Sequence, residues 1–393
     1  MSNISIAKAQ QACEILDELG LDSWLIWVRE TDQGGDPALR LLLDGDLVWP
    51  SALLFTREGG RAAIVGRFDA DGLPEGAFDR IIPYDEDIAP HLLAELRRID
   101  PATIAIDVSR SDVGADGMTA GMREWLNEML AASPYADRLT SAERLIGALR
   151  GRKTPEELER IRDAVALTER IFEDAFAEIR VGQTEREIFE RFHEHVRRHG
   201  VGFAWNAAHN PAVDAGPDKA FGHVGPTDRR TLPGHLLHFD FGIRKGGYCS
   251  DLQRMVYFGR PEEIPDEIVH GFETVRDAIA AAAAALRPGA VGADVDAVAR
   301  DFIVSAGYAE YKNALGHQVG RNAHDGGTLL GPRWRRYRTL PDGAAEVGNV
   351  FTLEPNLATD HYGMISLEED VVVTETGCEF LSTPQTSLIC LTS

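Results

Sequence analysis

Apolar residues recur at helical spacing over 6–19, 88–98 and 117–132. Strand-like runs separate them: "SWLIWV" (23–28), "ALLFTREGGRAAIVG" (52–66, with Gly59-Gly60 as a hairpin turn) and "TIAIDVS" (103–109). This alternation predicts a small α/β domain. "ETDQGGDPALR" (30–40) breaks the pattern and reads as a Gly-rich loop. A strong helix start follows at Thr154-Pro155-Glu156-Glu157: Thr caps, Pro fits the first turn and Glu157 completes a capping box. Thr184 and Glu187 repeat the device before "EREIFERFHEHVRRHG". Helices over 266–286 and 292–306 come next, the alanine run 280–285 reflecting helix propensity. Hairpin signals accompany each helical pair, so one helix-pair-plus-hairpin order occurs twice. The pattern places a boundary near 145–154 and predicts two domains, 1–148 and 149–393.

At 393 residues the chain exceeds one ordinary core, which agrees with two domains. A net charge of −23 argues against nucleic-acid and anionic-membrane partners, which demand basic surface. No apolar run approaches the ~20 residues of a membrane helix. The opening "MSNISIAKAQQACEILDELG" reads as an amphipathic helix, not a signal peptide. Cys13, Cys249, Cys378 and Cys390 are dispersed without C-x-x-C spacing, as expected for reduced thiols in a cytoplasmic protein.

Candidate chemistry begins at "HFDFGIRKGGYCSDLQRM" (238–255), where Asp240 lies among Phe239, Phe241 and Ile243. A hairpin turn at Lys245-Gly246 makes partner numbers sum to 491 and sets Asp240 opposite Asp251. Their Cβ atoms would then lie ~4.5–5.5 Å apart, with Phe239 and Phe241 turned into a core. Opposed like charges need a shared proton, a cation between them, or a shifted register that leaves both in solvent. The hairpin alone leaves all three open. A second strand–loop–strand follows in "VFTLEPNLATDHYGMISLEEDVVVTE" (350–375). Thr352, Glu354 and Asn356 share one face by period two; Ser366, Glu368 and Asp370 share one on the next strand. Glu354 and Glu368 are symmetric about His361. Between the hairpins, "ALGHQVGRNAHDGG" (314–327) carries His317 among glycines. Asp240, Asp251, Glu354 and Glu368 carry four negative charges, which two divalent cations balance. A carboxylate-rich set with one imidazole favours Mn²⁺, with Zn²⁺, Co²⁺ or Fe²⁺ also suited and Mg²⁺ less so.

Over roughly residues 150–385 these motifs resemble the creatinase, aminopeptidase P, prolidase and methionine aminopeptidase family. Asp240 in "DFG", Asp251, His317 in "GHxxG", Glu354 in "LEP" and Glu368 in "LEED" match that family's five metal ligands in order. His223 in "GHVGPTD" and His324 in "AHD" match two active-site histidines. The first third resembles the creatinase-type N-terminal domain, which points to the Xaa-Pro branch. The resemblance implies an α+β chain: a C-terminal pita-bread catalytic domain behind a smaller N-terminal α/β domain. It implies a homodimeric enzyme with two divalent metal ions per subunit, cleaving the Xaa-Pro imide bond of dipeptides by attack of a metal-bridging hydroxide. Glu354 would be both ligand and proton carrier, with His223 and His324 orienting substrate and stabilising developing charge. Aminopeptidase P activity, or a lyase or C–N hydrolase on the same scaffold, are the alternatives. A metal-free binding protein is a third class, opposed by the five retained ligands.

Three positions depart from the family pattern. Asn313 stands where many relatives carry His, Ala358 where many carry Tyr, and Ser366 where many carry Arg. Metal binding is left intact and substrate handling is altered. Without the Arg, a substrate carboxylate needs another partner. Arg40, in the Gly-rich loop with Gly34 and Gly35, is the candidate, closing the site of a dimer partner and restricting it to dipeptides. The remaining motifs have plainer readings. His193, His195 and His199 in "HEHVRRH" lack H-E-x-x-H spacing and read as a solvated helix end. His235 and His238 read as structural, His209 as a loop residue, and His270 and His361 as surface or loop residues. "RWRRYR" (333–338) reads as an insertion loop rather than a nucleic-acid patch. G-x-S-x-G, phosphate loops and a Cys/His pair are absent.

Overall fold

The computed structural model describes residues 3–217, 222 and 224–392. Contacts divide the chain into two compact units, Met1–Thr154 and Pro155–Ser393. In the first unit the elements run α1 (Asn3–Leu19), β1 (Ser23–Val28), β2 (Ser51–Thr56), β3 (Arg61–Gly66), β4 (Arg80–Tyr84), α2 (Ala89–Ile99), β5 (Ile104–Ile106), α3 (Ala120–Leu130), β6 (Leu139–Ser141) and α4 (Glu143–Gly151). The strands form one sheet in the order β4-β3-β2-β1-β5-β6. β1 is central and buried along its whole length. That explains its unbroken apolar run, since both faces must be covered. Trp24 and Ile26 enter the core that contains Leu16 of α1 and Leu149 of α4. Leu25 and Trp27 enter the opposite core, with Leu96 of α2 and Leu126 of α3. The Gly-rich stretch 30–40 holds one short 3₁₀ turn, Thr31–Gln33, and runs into a second, Leu39–Leu41.

The second unit begins with α5 (Pro155–Glu178) and α6 (Glu185–His199). The capping box predicted at Thr184 is formed: Glu187 N–H donates to Thr184 Oγ1 at 3.1 Å, and Thr184 N–H to Glu187 Oε2 at 2.8 Å. Strands β7 (Gly202–Phe203), β8 (Ala212–Ala215), β9 (Leu236–Phe241), β10 (Ile243–Lys245), β11 (Tyr248–Cys249) and β12 (Leu252–Phe258) follow. After α7 (Asp266–Ala285) and α8 (Gly292–Ser305) come β13 (Val350–Leu353), β14 (Asn356–Ala358), β15 (Met364–Ser366), β16 (Glu369–Val373), β17 (Cys378–Phe380) and β18 (Ile389–Leu391). They make small sheets ordered β18-β12-β9-β8, β11-β10-β7, β13-β16-β17 and β14-β15. Helices α7 and α8 pack through Phe272, Val275, Val295 and Ile303 into a core shared with Phe351 and Leu353 of β13.

The first hairpin departs from its predicted register. Arg244 pairs with Cys249, and Asp240 with Gln253, so partner numbers sum to 493 rather than 491. The turn is Gly246-Gly247, with φ of 58° and 83°. A turn with positive φ at both central residues suits two glycines and would strain Lys245. The slip is two residues. A one-residue slip would have turned every side chain over; two preserves the face. Asp251 therefore stays on the side of Asp240, diagonal to it and not opposite. The ladder also breaks at this point. A Cβ on Gly242 would fall 2.1 Å from the Ser250 carbonyl oxygen, so only glycine fits, and Asp251 stands just before β12. The second hairpin keeps the symmetric register about His361: Val350 pairs with Val372 and Asn356 with Ser366. Glu354 and Glu368 fall in the gap between those two ladders.

Behind Asp240 lies an aromatic cluster. Phe239 and Phe241 are fully buried against Phe172, Phe176 and Phe192, with ring centroids 5.0–6.4 Å apart. Phe192 touches both strand phenylalanines and both α5 phenylalanines. Phe192→Ala should cost about 3–5 kcal/mol in denaturant unfolding; an unchanged midpoint would show that this cluster is not a core.

Candidate metal centre

Five chain segments meet in the second unit. Asp240 comes from β9, Asp251 from the gap before β12, His317 from the loop after α8, Glu354 from the end of β13, and Glu368 from just before β16. Ligand atoms of Asp251, His317 and Glu368 all lie within 4.8 Å of one another. His317 Nε2 is 3.3 Å from Glu354 Oε1 and 3.9 Å from Asp251 Oδ2. The backbone fixes these positions. His317 N–H donates to Thr352 Oγ1 at 3.1 Å, and Thr352 N–H returns to the His317 carbonyl at 2.9 Å. A Cβ on Gly316 would sit 1.9 Å from the Thr352 carbonyl oxygen, so glycine permits this close approach. Glu354 N–H donates to the Leu315 carbonyl at 2.7 Å.

Asp370 joins the cluster: its Oδ2 accepts from the Asp251 N–H at 3.1 Å, and its side chain is fully buried. Burial pushes the Asp251 carboxyl well above its ordinary range, and repulsion from Asp240, Asp370 and Glu354 adds to it. Glu368 is pushed up in the same way, by burial and then by Asp251, Glu354, Asp240 and Asp370. Burial pushes Asp370 up to about 8, against the lowering effect of the Asp251 N–H. Burial opposes charge on His317, but its bond to Glu354 wins and raises the imidazole. Removing one carboxylate from water costs several kcal/mol. Five acids around His317 are tolerable where cations hold them together. The donor set is mostly carboxylate oxygen with one nitrogen, which fits divalent metal ions.

The histidine ring of His324 stacks edge-on against His317, with centroids 4.1 Å apart and planes at 72°. His223 lies outside the described residues. Arg40 belongs to the first unit, where it is nearly half exposed and bound to Asp46 at 2.7 Å. Asn313 accepts a hydrogen bond from Asn356 Nδ2 at 2.7 Å, and Asn356 is paired across the strands with Ser366. Two of the three departures from the family pattern thus lie together, while Ala358 is exposed.

The "HEHVRRH" helix end is less solvated than its charge suggested. His195 is buried beside Glu178 at 3.5 Å, and His193 bonds the Asn210 carbonyl at 2.9 Å and packs on Phe189 and Phe203. Of the three, only His199 is exposed. His238, read as structural, joins Asp214 and Gln253 in a buried hydrogen-bonded chain that ends at Glu354. Asp370 shares the period-two face of Glu368, so its part in the cluster had a signal in the sequence. Gln253 and Asp214 had none, because their roles depend on strand register.

Residues 159–375 match the family described as Metallopeptidase family M24. The chain is 33% identical over 249 residues to the Xaa-Pro dipeptidase of Lactobacillus helveticus, covering 62% of this chain and 63% of that one. The X-Pro aminopeptidase from Thermotoga maritima superposes with a TM-score of 0.71 at 25% identity, over 98% of this chain and 99% of that one. The Xaa-Pro dipeptidase from Bacillus anthracis superposes with a TM-score of 0.75 at 22% identity, over 98% and 100%. The fold is the pita-bread fold, in a two-domain arrangement.

The crowding of acids has a measurable consequence. In chelator, Glu368→Gln should raise the melting temperature by about 2–4 °C, the shift one kcal/mol produces in a unit of this size. In excess Mn²⁺ the order should reverse. A wild type more stable than the variant in chelator would show that the acids do not repel.

Proposed function

The chain belongs to metallopeptidase family M24, and from that premise we propose that it is a dinuclear Xaa-Pro dipeptidase. The observation that carries this reading is the meeting of Asp240, Asp251, His317, Glu354 and Glu368, with Asp251 and Glu368 buried and the other three partly so. These five would hold two divalent cations, Mn²⁺ first. When bound, such ions supply charge neutralisation, an acidified water and polarisation of the substrate carbonyl.

The protein's own groups divide the remaining work. Glu354 is more open than Asp251, with side-chain exposure of 19% against 7%. It can therefore meet a water as well as a ligand. It takes the proton as the water oxygen bonds to the peptide carbonyl carbon. It then returns that proton to the proline nitrogen as the carbon–nitrogen bond breaks. His324 and His223 stabilise the developing negative charge and orient the substrate. Arg40 of a second copy of the chain would pair with the free carboxylate of a dipeptide, in place of the Arg that Ser366 replaces. The chain's relatives include both a dipeptidase and an aminopeptidase, so substrate length is the point to measure.

Metal-loaded protein should hydrolyse Xaa-Pro dipeptides much faster than Xaa-Pro-Yaa tripeptides, and chelation should abolish both activities. Preference for tripeptides would identify an aminopeptidase. Bound metal with neither activity would point to a lyase or C–N hydrolase. Arg40→Ala should erode the preference for dipeptides over tripeptides; an unchanged preference would remove Arg40 from the site.

A further inference from the structure

Gln253 is where three ligand-bearing segments converge. On β12 it is the direct cross-strand partner of Asp240. Its backbone exchanges two N–H···O bonds with Glu368, each 3.4 Å long. Its side-chain Nε2 lies 3.5 Å from Glu354 Oε2. No other feature of the sequence marks it, and the proposed chemistry leaves it without a task.

The amide is held in one direction. Its Oε1 is 2.8 Å from His238 Nε2, and His238 Nδ1 is 3.0 Å from Asp214 Oδ2. Asp214, His238 and Gln253 are all buried. An amide oxygen only accepts and an amide nitrogen only donates. The Glu354 carboxylate only accepts, so the NH₂ group faces it and the amide oxygen is left to take a hydrogen bond from His238 Nε2–H. The reversed amide would set oxygen against carboxylate. Glu354 is thereby given two different oxygens: Oε1 faces His317 and the Thr352 hydroxyl, each at 3.3 Å, while Oε2 faces Gln253.

We infer that Gln253 is a positioning residue, which sets the rotation of the Glu354 carboxylate, and that His238 anchors the far end of its amide. At 3.5 Å the contact is long for a hydrogen bond, so its effect depends on the anchor behind it. The inference rests on Glu354 serving as ligand and proton carrier, as proposed above. Groups that orient metal ligands typically change affinity or activity 10–100-fold when removed.

The test is Mn²⁺ titration calorimetry on chelator-stripped full-length protein, comparing wild type with Gln253→Met and Gln253→Asn. Met keeps the volume without the donor; Asn keeps the amide but stops one methylene short. Both should bind Mn²⁺ about 10–100-fold more weakly, while the metal-free melting temperature stays within a few degrees of wild type. At saturating Mn²⁺, kcat on an Xaa-Pro dipeptide should fall with KM within about twofold, since Gln253 touches Glu354 and not substrate. Wild-type affinity in either folded variant would overturn the inference, as would a raised KM with kcat intact. If the Met variant fails to fold, the Asn variant decides. A wild type that binds Mn²⁺ but cleaves no Xaa-Pro bond would remove the dipeptidase reading alone, and the affinity comparison would still decide Gln253. A wild type that binds no metal would remove both.

Discussion

Repulsion among buried carboxylates is the constraint around which the second unit is arranged. Asp251 and Glu368 have acids as their leading charged neighbours. Such a group can be assembled only if the backbone is held by contacts made elsewhere. The aromatic cluster behind Phe239 and Phe241 anchors β9 from its opposite face. The α7–α8 core anchors β13 through Phe351 and Leu353. Each acid then projects from a strand already fixed by apolar packing. The folding free energy comes from those cores, and the acid cluster draws on it.

The glycines beside the site follow from the same constraint. Acids carried by separate strands converge only if the strands break where the acids lie. Gly242 lets the first ladder break before Asp251, with the Ser250 carbonyl taking the space of a side chain. Gly316 lets His317 lie against the Thr352 backbone. Glu354 and Glu368 stand between two short ladders rather than inside one. Regular sheet would spend these positions on pairing; interrupted sheet frees them for ligands.

Much of this was legible in the sequence because period-two alternation survives small errors of register. Asp240 and Asp251 share a face under partner sums of 491 or 493, so a misplaced turn left their side unchanged. The turn itself was readable: Gly246-Gly247 outranks Lys245-Gly246 where both residues need positive φ. The longer loop around His361 gave the correct register, because several ladder pairs on both sides enforce it. Residues whose meaning depends on register could not be read. Gln253 acquires its neighbours only once β12 is aligned on Asp240 and bridged to Glu368. His195 misled through composition, since two arginines follow it closely while its own side chain points inward.

The neighbour of Glu368 sharpens the case that the cluster is built for cations. Glu369 is also buried, but alternation turns it to the other side of the strand. There Arg254 meets it with two hydrogen bonds, at 3.1 and 3.2 Å, and Ser382 Oγ and Gln385 N–H complete its partners. Arg254 is in turn the residue next to Gln253. Two adjacent residues on each of two segments thus sort by face. Arg254 and Glu369 form an internal ion pair, while Gln253 and Glu368 face the acids. The chain neutralises a buried glutamate with arginine on one face, and on the other face gathers acids around His317. An acid that served only the fold would be paired as Glu369 is. Those on the other face are arranged to receive charge from outside the chain.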